Sequence, residues 1–435
     1  MPQSCTRRQF LETSLAAGAA SIAAGTFVHA AEDPPRTVTV GIMGLSRGAS
    51  LMATFAAQPG VVVKYLCDVD EERANRAAAR LQAEKGHPAE PIADFRRILD
   101  DPQVDALVCA APNHWHAPAS ILALNAGKHV YVEKPCSHNP WEGEMLVAAA
   151  RKANKAVQMG SQRRSGATYQ QAIAMLRDGV IGRVYLARSW YNNLRPAVKL
   201  GPPADPPAHF DWNLWQGPAP RRPYRDYLIN GQPTAHYNWH WFWHWGNGEL
   251  GNNGVHALDI CRWGLDADYP IRVTSSGGRY RYEDDQETPD THTVAFEFEG
   301  RKQAVWEGLS CNKHQVDSGF VSFYGDNGVL AIDGSGNFRV FDVNDRVVQE
   351  VKGRLDDGDH VRNFLTAIRD NTPLALNAEI LEGHQSTLLC HLGNIAHRVG
   401  RTLHCDPSNG HILGDDEAMA LWKREYEPGW EPKIG

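Results

Sequence analysis

A strict alternation between residues 38 and 161 constrains this chain more than any other feature. "VTVGIMG" (38–44) is an apolar run that ends in glycine, and Leu51, Met52 and Phe55 then recur at helical spacing between Arg47 and Gln58. "VVVKYLCD" (61–68), "VDALVCAAP" (104–112), "HVYVEKP" (129–135) and "AVQMGS" (156–161) are further apolar runs, separated by helix-patterned stretches at 71–84, 117–126 and 141–154. Strands that alternate with helices in this way must run parallel, with crossover helices on both faces of one sheet. The spacing therefore predicts an α/β domain over residues 36–160 built on a doubly wound parallel sheet. Ligands of such sheets sit beyond the carboxyl ends of the strands. Gly44, Asp68, Pro112 and Lys134 all fall at those ends.

The turn after the first strand reads as a variant of the dinucleotide fingerprint G-x-G-x-x-G, which makes the domain Rossmann-type. Gly44, Ser46 and Ala49 occupy the three glycine places. The first glycine permits the tight turn, and alanine at the third still allows a helix to pack closely on the strand. Ser46 sets a side chain where backbone should approach a pyrophosphate, and the nearby Gly48 suggests a shifted register. Asp68 lies 24 residues after Gly44, at the end of the next strand. A carboxylate there accepts both ribose hydroxyl protons and repels a 2′-phosphate, so NAD is expected rather than NADP. Asp68 could instead form the turn before a helix that Asp70 caps.

Beyond residue 161 the pattern changes. Nine prolines between Pro196 and Pro233 predict a wrapping loop rather than regular structure. Short β-patterned runs follow at 271–282, 291–298, 303–310, 318–324, 328–333, 337–342 and 346–350, and helices at 360–371 and 379–398 close the chain. Successive short strands with turn residues between them predict an α+β domain over 161–435 with an open, mostly antiparallel sheet. Eight of the 13 tryptophans lie between Trp190 and Trp263, densest in "HYNWHWFWHW" (236–245). Tryptophan faces stack on sugar rings, but they also fill cores and interfaces. His236, His240 and His244 are spaced four apart, yet the alternating tryptophans argue against a helix there, and no metal is expected.

Net charge is −7 and no basic run follows the first residues, which excludes an extended nucleic-acid surface. No apolar run is long enough to span a bilayer. Seven cysteines after Cys5 are scattered and form no C-x-x-C, so neither a disulfide framework nor a thiolate metal site is expected.

"NHWH" (113–116) and "EKPCSHN" (133–139) resemble the Gfo/Idh/MocA family of oxidoreductases. The resemblance continues through "VQMGSQRRSG" (157–166), "DWNLWQGPAP" (211–220), "GNNGVHALDICRW" (251–263) and "HLGNIAHRVGRTLHCDP" (391–407). It implies a homo-oligomer with the substrate held between two domains. It also implies oxidation or reduction of a secondary hydroxyl on a sugar, cyclitol or derivative. Cofactor contacts are implied at Gly44, Ser46, Arg47, Gly48, Asp68, Pro112, Asn113, His116, Glu133 and Lys134. Substrate contacts are implied at Arg163, Trp239, His240, Asn252 and His256. The family's catalytic pattern is the lysine of E-K-P followed by D-x-x-x-H. Lys134 and His256 match it, while Asn252 stands at the aspartate place. An amide binds a hydroxyl but cannot act as a carboxylate base, so Asp259, one turn further on, is the expected partner of the imidazole. Two other readings stand beside this one. One is an NAD-dependent glycoside hydrolase or lyase that works through a transient keto-sugar. The other is a non-catalytic sugar-binding protein that has kept the fold.

The first 30 residues read as an address. Arg7-Arg8 precedes an uncharged apolar stretch from Leu15 to Val28, and Val28-His29-Ala30 offers small residues to a signal peptidase. The string "TRRQFL" resembles the twin-arginine motif. Export in the folded state to the periplasm is expected, with a tightly bound NAD acquired beforehand.

Overall fold

The computed structural model describes residues 36–233, 236–314 and 320–435. The signal expected at 1–30 lies outside the described residues.

The first sheet has six parallel strands: β1 (Val38–Met43), β2 (Val61–Cys67), β3 (Glu90–Ile92), β4 (Ala106–Cys109), β5 (His129–Val132) and β6 (Val157–Met159). Their order is β3-β2-β1-β4-β5-β6, so the chain reverses direction across the sheet between β1 and β4. That reversal opens a crevice at the strand ends. Helices α1 (Arg47–Ala56), α2 (Glu71–Lys85), α3 (Asn113–Asn125) and α4 (Pro140–Ala153) make the connections. Local signals fix α2 well. The Asp70 side chain accepts the Arg73 amide, Glu71 and Glu72 occupy the first turn, and Gly86 ends the helix at φ 68°. Because Asp70 is the cap, Asp68 is left to face the crevice.

The second sheet is built around β7 (Val184–Leu194), a strand the sequence pattern did not predict. A separate three-stranded sheet of β8 (Lys199–Leu200), β9 (Tyr227–Ile229) and β10 (Gln232–Pro233) follows. The large sheet is completed by β11 (Arg272–Gly278), β12 (Thr291–Phe298), β13 (Lys302–Leu309), β14 (Cys311–Asn312), β15 (Val321–Gly325), β16 (Gly328–Ile332), β17 (Phe338–Asp342), β18 (Val347–Val351) and β19 (Leu403–His404). The order is β18-β17-β16-β15-β7-β13-β12-β11-β19, with β14 also pairing β7. Every pairing is antiparallel except β7 with β13. β7 escapes the period-2 pattern because most of its residues are only half-buried, with Ala187 and Ser189 alone fully enclosed.

Helices α5 (Val255–Leu265), α6 (Asp357–Arg369) and α7 (Ile380–Val399) join the two sheets into one unit from Arg36 to Gly435. α7 is buried on nearly all sides because it packs against the second sheet, α4 and α5 together. Contact with α4 is close enough that a Cβ on Gly143 would lie 2.3 Å from His384 Nδ1. α6 returns to the first sheet. Its Val361, Phe364, Leu365 and Ile368 share a core with Leu51, Phe55 and Tyr131. Phe364 meets Tyr131 edge-on at 5.9 Å and Phe55 at 6.3 Å.

The proline-rich segment is irregular for most of its length, but it is anchored rather than loose. Asp211 caps a short helix at Trp212–Gln216, the Glu71 amide donates to the His209 carbonyl at 3.0 Å, and the Asp211 amide donates to the Val69 carbonyl at 2.9 Å. Phe210, Trp215, Tyr224, Tyr227, Trp239, Trp241, Phe242 and Trp245 then form a second, aromatic core. This core, stitched to the end of β2, becomes a roof over the crevice.

Because α6 completes the core of the first domain, Phe364→Ala is expected to cost about 3–5 kcal/mol. Chemical denaturation followed by tryptophan fluorescence and by far-ultraviolet dichroism should show one shared, weakened transition.

Candidate active site

One continuous cleft runs from the end of β1 to the start of α5, and it collects most of the residues expected to act. At its first end Gly44 adopts φ +85°, with no space for a side chain because a Cβ would lie 2.6 Å from the Ala110 carbonyl oxygen. The following turn enters α1 at Arg47 without a side-chain cap, so the amides of the first helical turn are left for a ligand. Gly48, not Ala49, is the residue that lets α1 approach β1, since a Cβ there would be 3.1 Å from Ile42 Cγ2. Ser46 does not block the turn. Its hydroxyl accepts from Arg73 Nη2 at 2.9 Å. Asp68 accepts the amides of Leu45 at 2.8 Å and Asp70 at 3.0 Å, which ties the glycine turn to the end of β2. Burial raises its pKa, opposed by those two amides and by Arg73.

The end of β5 supplies the next groups. Glu133 accepts from Arg47 Nε at 3.1 Å and from the Lys134 amide at 3.2 Å, and Arg47 reaches Asp357 of α6 at 2.5 Å. Asn113 and Pro112 begin α3 on the cleft wall. His116 also lines the cleft, but both of its ring nitrogens face backbone carbonyls, Pro135 at 2.6 Å and Ala111 at 2.7 Å. It braces the turn that carries Lys134 and has no ring nitrogen to spare for a nucleotide. This differs from the direct cofactor contact expected of it.

Lys134 crosses the cleft. Its ammonium donates to the Asn252 carbonyl at 2.7 Å and to Asn252 Oδ1 at 3.2 Å. Asn252 lies in a π-helical turn, Leu250–Gly254, that leads into α5 and opens one backbone carbonyl to the cleft. Burial lowers the pKa of Lys134, with Glu133 and Glu249 acting against it. His256 follows one turn later on the cleft wall. Burial, then the charges of Arg163, Lys134 and Arg47, hold its imidazole well below the ordinary histidine range. It is therefore neutral at physiological pH, the state from which a general base starts.

Asp259 does not orient that imidazole. It is buried against the short turn of helix at Gln162–Ser165 and against α7, where Arg164 Nε reaches both of its oxygens at 2.9 Å and Ser386 Oγ donates at 2.7 Å. Helical spacing places the two residues near one another, but a buried arginine captures the carboxylate. The carboxylate near Asn252 is instead Glu249, which pattern reasoning passed over. It accepts from Asn252 Nδ2 at 3.4 Å, binds Asn253 and pairs with Arg195 at 2.5 Å. By holding the amide nitrogen, Glu249 turns Asn252 Oδ1 toward Lys134. The signal available was an acid three residues before Asn252 in "GELGNN".

Trp239 and His240, expected to contact substrate, line the cleft from the roof, with rings stacked at 3.6 Å. His240 Nδ1 donates to the Tyr237 carbonyl at 2.5 Å, and burial lowers its pKa to about 3. Tyr237 was not foreseen. Its hydroxyl accepts from Arg195 at 3.2 Å and from Asn252 Nδ2 at 3.4 Å, leaving its own proton free to donate. The other two histidines of that run go elsewhere: His236 to Asp70 at 2.9 Å and His244 to the Pro220 carbonyl at 2.9 Å. Arg163 stacks over Phe320 at 4.4 Å, beside the cleft rather than in its lining. Its charge still reaches His256.

Two outcomes follow from this geometry. Asp259→Ala should destabilise the fold by about 3 kcal/mol, because it leaves the buried Arg164 Nε without an acceptor and Arg164 with Glu382 as its remaining carboxylate, while turnover per folded molecule stays near that of the unsubstituted protein. Thermal unfolding alongside activity at low temperature checks this. Because the folded pKa of His256 is depressed, the acid limb of the pH–rate profile should lie well below the ordinary histidine pKa of about 6.5.

Comparison with known proteins identifies both domains. Residues 38–161 match the model described as "Oxidoreductase family, NAD-binding Rossmann fold", and residues 190–432 match "Oxidoreductase family, C-terminal alpha/beta domain". A glycosyl hydrolase family 109 protein of Saccharopolyspora erythraea is 34% identical over 215 residues, covering 43% of this chain and 45% of the relative. Levoglucosan dehydrogenase of Pseudarthrobacter phenanthrenivorans is 26% identical over 228 residues, covering 51% of this chain and 48% of the relative. The matched stretches thus span less than half the length of these curated relatives. Among solved structures, levoglucosan dehydrogenase in complex with NADH and levoglucosan superposes with a TM-score of 0.64 at 18% identity, over 85% of this chain and 99% of the other. Aldose-aldose oxidoreductase from Caulobacter crescentus, complexed with glycerol, gives 0.64 at 19% identity, over 85% and 100%. These two likenesses concern the fold. With both domain models matched in order along one chain, the protein belongs to the Gfo/Idh/MocA family of oxidoreductases.

Proposed function

We propose that this protein oxidises or reduces a secondary hydroxyl on a sugar, cyclitol or sugar derivative, with NAD as its resident cofactor. The observation that carries the reading is the convergence of a neutral imidazole, His256, and a buried ammonium, Lys134, at the inner end of the cleft that begins at Gly44 and Asp68. The residues present fit a dinucleotide. Gly44 and the uncapped start of α1 suit a pyrophosphate, and Asp68 suits a ribose diol. Arg73 stands at the same end and is the group that would favour a 2′-phosphate, but Asp68 lies at the end of β2 and we assign NAD. When bound, the nicotinamide supplies the hydride acceptor.

The chain's own groups do the rest. Lys134 donates a hydrogen bond to the substrate oxygen and stabilises the negative charge that develops there. His256 takes the hydroxyl proton at its free ring nitrogen. Asn252, fixed by Glu249, keeps the Lys134 ammonium in place. Tyr237, Trp239 and His240 exclude water from above and offer aromatic faces to a sugar ring.

A second reading is favoured by the 34% identity to a glycosyl hydrolase family 109 protein. Oxidation at one carbon acidifies the neighbouring C–H, elimination expels the aglycone, water adds across the resulting double bond, and the hydride then returns to the sugar. The two readings share every residue named above. A purely sugar-binding role is disfavoured by the intact Lys134–His256 pair. The aromatic roof, pinned to Asp70 and Val69, supports retention of the cofactor without exchange. That suits the folded export and periplasmic location we infer from "TRRQFL".

Lys134→Ala and His256→Ala should each lower turnover about 100-fold with little change in the unfolding midpoint. Near-normal turnover in either would remove that residue from the reaction. Protein dialysed exhaustively and then denatured should release NAD, identified by mass. Recovery of NADP, or activity that vanishes on dialysis and returns with added NAD, would contradict the assignment. Assays on free sugars and aryl glycosides, following nicotinamide absorbance and aglycone together, separate net oxidation from hydrolysis.

A further inference from the structure

A second cavity opens beside the first. The segment that roofs the dinucleotide cleft through Trp239 and His240 continues into it through Trp243 and His244. Five cations line it, Arg221, Arg222, Arg398, Lys423 and Arg424, against one carboxylate, Glu425. Such a concentration is out of keeping with a chain of net charge −7.

The partners of these cations can be followed one by one. Arg221 lies 3.8 Å from Glu427, and Lys423 pairs with Glu431. Among the described residues, Arg222, Arg398 and Arg424 have no carboxylate within ion-pair distance. Arg398 lies over the Trp243 ring at 5.5 Å. Arg424 meets only the Glu425 carbonyl at 3.2 Å and His138 Nδ1 at 3.3 Å. The acids behind them are engaged elsewhere. Glu142 is buried, pushed up to about 7 by that burial, and bonded to Tyr426 and the His138 amide. Glu287 holds the Trp243 amide at 2.7 Å.

The histidines do not add to the charge. Burial lowers His244 to about 4 and His391 to about 3, and takes His138 well below its ordinary range. The positive field is therefore arginine's, and it persists across the physiological pH range. Burial also lowers Arg424, so its charge stands at an electrostatic cost that an anion would relieve. Guanidinium forks match tetrahedral oxyanions, which accept several N–H bonds at once.

We propose that this cavity is an oxyanion-binding site, separate from the dinucleotide cleft, that takes a phosphate or sulfate group. The group could arrive as the free ion or as an ester on a sugar, and the same forks would receive either.

The test is calorimetric titration of the nucleotide-loaded protein with inorganic phosphate, sodium sulfate, glucose 6-phosphate and glucose, at constant ionic strength. Saturable binding of at least one of the charged probes is expected, with none for glucose. Equal affinities for phosphate and glucose 6-phosphate would identify the free ion as the ligand, and tighter binding of the ester would identify a sugar phosphate. The double variant Arg222→Gln/Arg398→Gln should weaken binding at least about tenfold. Both side chains are exposed, so the unfolding midpoint and the bound nucleotide should be unchanged. Absence of saturable binding by every charged probe would overturn the proposal. So would an affinity unchanged in the double variant, which would place the anion in the dinucleotide cleft.

Discussion

The hydrogen bond from Lys134 to the backbone of Asn252 is the contact on which the arrangement depends. It joins the end of β5 in one sheet to the π-helical turn before α5 in the other, at 2.7 Å. A buried ammonium is costly unless its protons find acceptors. The Asn252 carbonyl and side-chain oxygen supply two, and the second is aimed by Glu249 through the amide nitrogen. Removing the family's aspartate from position 252 therefore does not leave Lys134 without support. It moves the carboxylate one turn back and behind an amide, so that Lys134 is held without a direct ion pair. An ammonium held that way is more acidic than one paired with a carboxylate, which suits a group that shares protons with a substrate oxygen.

The rest of the fold keeps that contact in register. Arg47 is clamped between Glu133 and Asp357, so α6 reports on the position of the lysine-bearing turn. His116 braces the same turn from behind with two carbonyl contacts. α5 is tied to its neighbours by the buried Arg164–Asp259 pair and by Ser386 of α7. Asp259 thus acts on the helix, not on the imidazole. The aromatic roof closes the cleft from a third direction, through hydrogen bonds to the end of β2 and from Trp115 of α3 to the Trp215 carbonyl.

Much of this was legible in the sequence because the first domain obeys local rules. Buried parallel strands read as continuous apolar runs, and Gly44, Asp68, Lys134 and His256 all stand where strand ends and the helix register put them. What escaped depended on tertiary context. β7 hides because the two residues it fully encloses, Ala187 and Ser189, are small or polar and the rest are half-buried or exposed, so no apolar period emerges. Asp259 was read from helical spacing toward His256, but a buried arginine 95 residues away decides where it points. Gly48 rather than Ala49 makes the close approach to β1, a one-residue shift that the fingerprint cannot distinguish without Ile42 in place. The tryptophan cluster was ambiguous for a sound reason. Trp215 and Trp239 serve the aromatic core and line the cleft together.

The central claim is that a carbinol hydrogen of the substrate passes to a nicotinamide held in the cleft, beside Lys134 and His256. A single-turnover experiment with a sugar deuterated at its reactive carbinol carbon, followed by denaturation and mass analysis of the released nucleotide, tests it directly. The account predicts nucleotide heavier by about one mass unit, a label lost in the His256→Ala variant because no base takes the hydroxyl proton. Reduced nucleotide without the label, recovered alongside converted substrate, would contradict it.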